Sequence, residues 1–409
     1  MLPKGWHRST LGDIARISSG GTPDRAEPSY WGGSIPWVTT GEIQFNTITG
    51  TTEKITEAGL KTSSAKLFPT GTLLMAMYGQ GKTRGQVAKL GIEAATNQAC
   101  AAILLHKAYD SDFFFQYLSS QYTAVRKLGN AGTQKNLSGG ILKEVLVPVP
   151  PLPEQRRIAR ILTTWDQAIT TTERLLDNCR KQRQALTRAL LLGKRRLPSC
   201  QSHWNYVDFD SAFERVRRKN TTGNSNVLTI SGQHGLIGQR DFFTKSVASE
   251  NLTGYTLLAR GEFAYNKSYS AGYPMGAIKP LERYDAGVVS SLYVCFRLRN
   301  DGEANFDFFR HYFEAGLLNE EISGIAQEGA RNHGLLNVGV TDFFKLRLHI
   351  PPADEQSRIA KVINVAEAEE RSFATQLAGL QAEKRALMKQ LLTGKRRVHV
   401  AESVAEVAA

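Results

Sequence analysis

Pro150-Pro151-Leu152-Pro153-Glu154-Gln155-Arg156-Arg157-Ile158-Ala159 opens a segment that is written a second time as Pro351-Pro352-Ala353-Asp354-Glu355-Gln356-Ser357-Arg358-Ile359-Ala360. The offset is 201, and it runs on without a gap until Gly193-Lys194-Arg195-Arg196 falls on Gly394-Lys395-Arg396-Arg397. Sixteen of the 48 aligned positions are identical, too many at one offset to be chance. The prolines end a strand and suit a helix start; the glycine suits a C-cap, with basic residues complementing the helix dipole. Between them apolar residues recur in steps of four and three. The first copy reads Ile158, Leu162, Trp165, Ile169, Thr172, Leu176, Cys179, Arg183, Leu186, Leu190. The second reads Ile359, Ile363, Ala366, Glu370, Phe373, Leu377, Leu380, Lys384, Leu387, Leu391. This predicts one long helix per copy, with a coiled-coil seam of about five heptads. Arg183 and Lys384 interrupt both seams at matched places, where they set register or pass their stems through.

A helix of about 40 residues is about 60 Å long. Matching seams predict that the two helices pair. Because each follows a globular domain, an antiparallel pair would hold two domains a fixed distance apart; separate packing of each helix on its own domain is the rival. The expected plan is a first domain at 1–151, a helix at 152–197, a second domain at 198–350, a helix at 351–398 and a tail at 399–409. Adding or removing whole turns within Trp165–Leu186 should change the separation and leave the domains' own specificities alone.

The helices also carry the charge. The chain has a net charge of +13, which favours an anionic partner, most often nucleic acid. Glu154 to Arg196 holds 11 basic and 4 acidic residues, and Glu355 to Arg397 holds 9 and 5. Together they account for +11, leaving 31 basic against 29 acidic residues elsewhere. Hydrophobic content of 41% supplies real cores in two or three domains. No run of about 18 apolar residues predicts a membrane span, and the start lacks the apolar core of a signal peptide. Cys100, Cys179, Cys200 and Cys295 are too scattered for a zinc site and fit reduced thiols of a cytoplasmic protein.

The two globular parts share an order of elements. Strands are expected at Ile35–Thr39, Thr72–Tyr78 and Ala99–Leu105, and a helix at Asp112–Leu128. Gly261-Glu262-Phe263-Ala264-Tyr265, Ser291–Arg297 and Asp307–Phe313 stand at the corresponding places in the second half. Asn136-Leu137 and Asn337-Val338 again differ by 201. A mixed α/β (α+β) domain with a twisted sheet is expected in each half, with like scaffolds and unlike surfaces. The fold class is thus two mixed α/β recognition domains joined by two long antiparallel coiled-coil helices, an internal repeat with a pseudo-two-fold relation.

Ala76-Met77-Tyr78-Gly79-Gln80-Gly81-Lys82-Thr83 nearly fits the phosphate loop GxxxxGK[ST], but Ala76 stands where the first glycine belongs. No strand ending in Asp follows to serve a metal. The histidines show no metal-ligand spacing, and there is no Asn-Pro-Pro-Tyr or Asp-Pro-Pro-Tyr motif for amino methylation. The chain therefore reads as non-catalytic, with no cofactor or metal of its own.

Pro3-Lys4-Gly5-Trp6, Leu11-Gly12-Asp13-Ile14, Ser19-Gly20-Gly21-Thr22-Pro23, Ile35-Pro36-Trp37-Val38, Thr96-Asn97-Gln98-Ala99 and the two Pro-Pro-x-x-Glu-Gln-x-x-Ile helices together resemble the type I restriction-modification specificity (S) subunits. The resemblance covers nearly the whole chain. The second domain departs after Trp204, where it lacks a clear Leu-Gly-Asp-Ile and Gly-Thr-Pro. The family implies two target-recognition domains, each reading half of a bipartite site in double-stranded DNA. It implies helices that set the gap and dock two methylation subunits, which bring S-adenosylmethionine and flip and methylate an adenine. A motor-nuclease restriction subunit can join.

Base readers belong in glycine-rich loops, where polar side chains reach out from a rigid scaffold. The first domain offers Thr22, Tyr78, Gln80, Lys82, Arg84, Thr133, Gln134 and Lys135. The second offers Ser231, Gln233, His234, Lys267, Tyr269, Arg331, Asn332 and His333. Each has a plainer alternative as a solvated or turn-stabilising side chain. Three rival functions stay open on sequence alone: a specificity subunit of a modification-only system, an ATPase using the Lys82 loop, and a scaffold that only joins proteins.

Overall fold

The computed structural model describes residues 2–79, 81–129, 136–198, 200, 202–232, 234–242, 251–299, 304–326 and 336–399. Gln80, Thr133, Gln134, Lys135, Gln233, Arg331, Asn332 and His333 lie outside the described residues. The chain divides into two compact units: Met1–Glu173 with Thr375–Ala409, and Arg174–Ala374. The expected helices are present as Leu152–Leu191 and Ala353–Leu391. Each unit therefore holds one half of each long helix.

In the first unit, five strands lie in the order Ala15–Ser19, Cys100–Leu105, Leu73–Ala76, Val87–Leu90, Thr47–Ile48. All neighbours are antiparallel except the last pair. A second sheet joins Glu53–Ile55, Trp31–Val38, Ala94–Thr96 and Leu67–Phe68. His7–Thr10 pairs with Leu146–Val149, the strand that leads into the long helix. The expected helix at Asp112–Leu128 is two, Ser111–Ser120 and Tyr122–Leu128, broken at Gln121.

The second unit repeats the first four of these five strands in the same order, as Phe213–Arg215, Val294–Leu298, Phe263–Asn266 and Ala277–Pro280. Asn205–Asp208 pairs with Arg347–Ile350, as the ribbon does in the first unit. The second sheet recurs as two antiparallel pairs, Leu228–Ser231 with Gly235–Gly238 and Thr256–Ala259 with Ala286–Val289, joined by a parallel bridge between Val227 and Val288. Both main cores press the ends of the long helices against a phenylalanine-rich helix. Ile158, Leu162, Leu391 and Leu392 join Phe113 and Phe114 in the first unit. Leu190, Leu191, Ile359 and Ile363 join Phe308, Phe309 and Phe313 in the second.

Within each unit the helix halves run antiparallel. Lys384 bonds Asp166 and Arg397 bonds Glu154 in the first unit. Arg183 bonds Glu370 at 2.7 Å and Arg196 bonds Glu355 in the second. All twenty expected seam residues are buried or half-buried. The two seam-breaking charges of the second unit, Arg183 and Glu370, break it together and partner one another.

The two conserved-looking ends of the repeat meet. Glu154, 3% exposed, accepts both nitrogens of Arg397 at 2.7 and 2.9 Å and the Trp6 indole N–H at 3.0 Å. Glu355, 3% exposed, accepts both nitrogens of Arg196 at 2.8 Å. Thus the Glu that opens one long helix is clasped by the Arg that closes the other. Gly193 (φ +67) and Gly394 (φ +73) make this possible, since each reverses the chain in the left-handed region. The bond that completes the turn is also repeated, Arg195 N–H to Ala189 O and Arg396 N–H to Gln390 O.

The glutamine next to each Glu bridges two backbones. Gln155 donates to Pro150 O at 2.8 Å and accepts from Asp110 N–H at 2.9 Å. Gln356 does the same with Pro351 O and Asn305 N–H. Because Gln155 is 1% exposed, Gln155→Leu strands both groups away from water. Its expected cost is about 2–6 kcal/mol, at roughly 1–3 for each unsatisfied group. The check is the denaturant midpoint of the first unit; a change under about 1 kcal/mol would show that water replaces the amide.

Candidate nucleic-acid interface

In the first unit, strands Ala15–Ser19 and Leu73–Ala76 end at the same edge of the main sheet, because both are antiparallel to Cys100–Leu105 between them. The loops that leave this edge hold Thr22, Tyr78, Lys82 and Arg84. Backbone bonds tie them together. Met77 N–H donates to Ala99 O at 2.9 Å, and Leu137 N–H donates to Met77 O at 3.0 Å. The second bond brings the chain that follows 130–135 onto the start of the Tyr78 loop.

Thr22 is half-buried and its hydroxyl donates to Gln98. The preceding glycines are dictated by proximity: a Cβ on Gly20 would lie 1.9 Å from Thr96 O, and one on Gly21 2.3 Å from Ser64 Oγ. Two indoles hold the same loop, Trp37 donating to Gly21 O and Trp31 to Asp24 O, each at 3.0 Å. Arg25 lies over the Trp31 ring and forks onto Glu53. The Glu53 carboxyl is held below its usual range by that guanidinium hydrogen bond.

Tyr78 and Lys82 are exposed, whereas Arg84 is 7% exposed and belongs to the loop's interior. The loop rests on the helix Tyr122–Leu128. Tyr122 donates to Lys82 O at 2.6 Å, Arg126 donates to Tyr122 Oη at 2.7 Å, and Arg126 also reaches Gly81 O. Beyond the loop comes strand Val87–Leu90, antiparallel to Leu73–Ala76. This is a hairpin, and a phosphate loop needs a helix there. The ATPase reading falls on that observation. Arg126→Ala should raise backbone hydrogen exchange across 79–85 several-fold while leaving the strands protected; unchanged exchange would mean the loop holds itself.

The second unit uses the same edge. Phe213–Arg215 and Phe263–Asn266 end there, both antiparallel to Val294–Leu298. Leu336 N–H donates to Lys267 O at 2.9 Å, again joining the chain after the Phe-rich helix to the loop that follows the sheet strand. Lys267 is half-buried, its ammonium donating to Val338 O at 3.3 Å, while Tyr269 is 64% exposed. Ser231 is buried and accepts the His234 N–H at 3.3 Å; His234 is exposed. Tyr273 fastens this hairpin to the loop by donating to Gly232 O at 3.0 Å. Lys279, 6% exposed, backs the contact by donating to Tyr273 Oη, Gly232 O and Glu314. Burial pushes the Tyr273 phenol up despite the opposing pull of Lys279.

Sequence reasoning missed Gln98, Tyr122, Arg126, Tyr273 and Lys279, which hold the loops. Gln98 stood within the quoted motif Thr96-Asn97-Gln98-Ala99 but was given no contact role, and the four-residue spacing of Tyr122 and Arg126 looked like an ordinary helix face. Among the described residues no cluster fit for a metal ion occurs, and no helix is long and apolar enough to cross a membrane.

Residues 3–178 match the family described as "Type I restriction modification DNA specificity domain". That stretch of the chain resembles the family's specificity domain. Its sequence is 29% identical over 195 residues to the type I restriction enzyme MjaIX specificity subunit of Methanocaldococcus jannaschii, covering 46% of this chain. It spans only 43% of that relative's length. Across 96% of both chains the fold is similar to that of the S subunit of a type I restriction-modification system from M. genitalium, with a TM-score of 0.57 and 15% identity. A second similar fold comes from a structure of "complex assembly" in the type I system, with a TM-score of 0.56 and 17% identity over 97% of this chain.

Proposed function

We propose that this chain is the DNA sequence-specificity subunit of a type I restriction-modification complex. One observation carries the reading: the same sheet edge, held by a matching backbone bond, presents unlike polar loops in the two units. Tyr78 and Lys82 rise from the first and Tyr269 from the second, with His234 on the neighbouring hairpin. Two such readers, at 1–151 and 198–350, suit the two halves of a bipartite site in double-stranded DNA, with base edges specifying and phosphates positioning.

The subunit is non-catalytic and works in the cytoplasm. Two methylation subunits dock on the paired helices and supply S-adenosylmethionine, and a motor-nuclease subunit joins for cleavage. The long helices set the gap between half-sites. The test is to map methylated adenines in a genome that expresses this chain with its methylation partner. A single split motif is expected, lost when the chain is deleted. Methylation that is scattered, or that persists without the chain, overturns the proposal.

A further inference from the structure

Edge strand Phe213–Arg215 continues as extended chain to Asn220, with Lys219 bridging Thr256. Arg217, Arg218 and Lys219 are exposed in succession. Val216 and Asn220 are buried, and Arg218 turns back to bond Glu262 at 2.6 Å, so its charge is neutralised. Arg215, Arg217 and Lys219 are exposed. Arg215 and Arg217 form no ion pair among the described residues, and Lys219 meets only the neutral Gly254 carbonyl at 2.8 Å. Three unneutralised cations thus lie at every second position of this segment. At about 3.3 Å per residue they stand about 6.6 Å apart, a step comparable with that between successive phosphates of one DNA strand.

The row leaves the sheet at the edge that carries Lys267 and Tyr269. The pairing registers make Arg215 the counterpart of Ile17, since each faces the matching residue of the central strand, Phe296 or Ile103. Arg217 and Lys219 then stand where the first unit has Ser19 and Gly21. The charges are absent there, so they do not belong to the shared scaffold.

We propose that Arg215, Arg217 and Lys219 form a phosphate-gripping rail that seats one strand of the DNA backbone against the second recognition domain. This rests on the DNA-specificity reading and adds to it a site that orients the duplex without reading bases. Cations on a free edge strand can also serve only to block edge-to-edge pairing, and the experiment separates the two.

The full chain is titrated with a random-sequence duplex at several salt concentrations, and separately used to enrich sequences from a randomised duplex library. The triple variant Arg215→Gln, Arg217→Gln, Lys219→Gln is compared with a charge-matched control on the first long helix, Arg156→Gln, Arg157→Gln, Arg160→Gln, whose arginines are also exposed. The rail variant should bind roughly tenfold or more weakly at low salt. The slope of log affinity against log salt should shrink by about two to three, at about 0.9 per lost phosphate contact. The enriched sequences should stay the same, and the control should change less. A rail variant that binds like wild type but self-associates makes the row an edge guard and overturns the proposal. An equal loss in the control reduces the effect to net charge, and altered enriched sequences make the row a base reader; either result overturns it. If wild type itself fails to bind DNA, the specificity reading falls first.

Discussion

Replacing Arg196 by alanine is expected to destabilise the second unit by about 3 kcal/mol. The Glu355 side chain is 4% exposed and has no second cationic partner among the described residues, so the variant leaves a carboxylate buried and uncompensated. Removing one member of a buried pair costs roughly 3–5 kcal/mol, and the one-third exposure of Arg196 places the expected loss at the lower end. Arg196→Lys should recover little, because a lysine cannot span both carboxylate oxygens. Arg397→Ala should cost the first unit less, since the Trp6 indole would still donate to Glu154. Denaturation followed by hydrogen exchange in each unit measures this. If Arg397→Ala proves the more damaging, the Trp6 bond contributes nothing. A double variant, Arg196→Met with Glu355→Leu, should approach wild-type stability, because the desolvation cost disappears with the pair.

Mild acid should loosen the second unit before the first. His311, 2% exposed, is held below its ordinary value by burial first and by Arg310 second, against the opposing pull of Asn364, Glu367 and Asp307. The unfolded chain therefore takes up a proton at about pH 6.5, while the folded unit does not. Stability falls as the pH drops below about 6.5 toward the folded value, by at most about 1.4 kcal/mol per pH unit for one group. Glu370 adds a second loss at lower pH. Burial raises its carboxyl, but hydrogen bonds from Arg183 and Arg180 outweigh this and lower it. That stability is present above the unfolded carboxylate value, about 4.3, and is lost as the pH falls through the folded one. The first unit has Gln116 where the second has His311, bonded to Asp166 at 2.5 Å, and Ile169 where the second has Glu370. Hydrogen exchange between pH 7 and 5 should rise first in Arg174–Ala374, and His311→Gln should flatten that rise. Equal loosening of both units would sink the idea.

The helices were readable because a seam is written in spacing alone. Every expected seam residue lies away from solvent. What spacing concealed was direction. Aligning the copies set Arg183 against Lys384, whereas antiparallel pairing sets Arg183 against Glu370 and Lys384 against Asp166. The Pro-Pro-x-x-Glu-Gln and Gly-Lys-Arg-Arg motifs read as a start and a stop. That each start closes on the other helix's stop is a tertiary fact 159 or 243 residues long. In the domains, β-rich runs located Leu73–Ala76 and Cys100–Leu105 to within two residues, whereas Trp31–Val38 begins four residues before the expected Ile35 and Val294–Leu298 three after the expected Ser291. The contact loops were placed only as glycine-rich polar segments, and their supports were invisible because Lys279 and Arg126 act through backbone carbonyls. The rail was missed because Arg217 and Lys219 sit where no glycine-rich pattern drew notice.

The clasp on Glu154 has a consequence for synthesis. The first unit is completed by Thr375–Ala409, so the earliest-made part of the protein is the last to be closed. At about 5–20 residues per second, the ribosome needs roughly ten to forty-five seconds to travel from Glu173 to Arg397. Throughout that wait Leu162, Trp165 and Ile169 have no seam opposite them, and Glu154 has no arginine. The second unit has its partner segment only slightly sooner, once Ala374 emerges. Nascent chains of this protein thus expose a half-built helix pair, the interval in which a chaperone, a docking partner or a second nascent chain has its best opportunity to engage it.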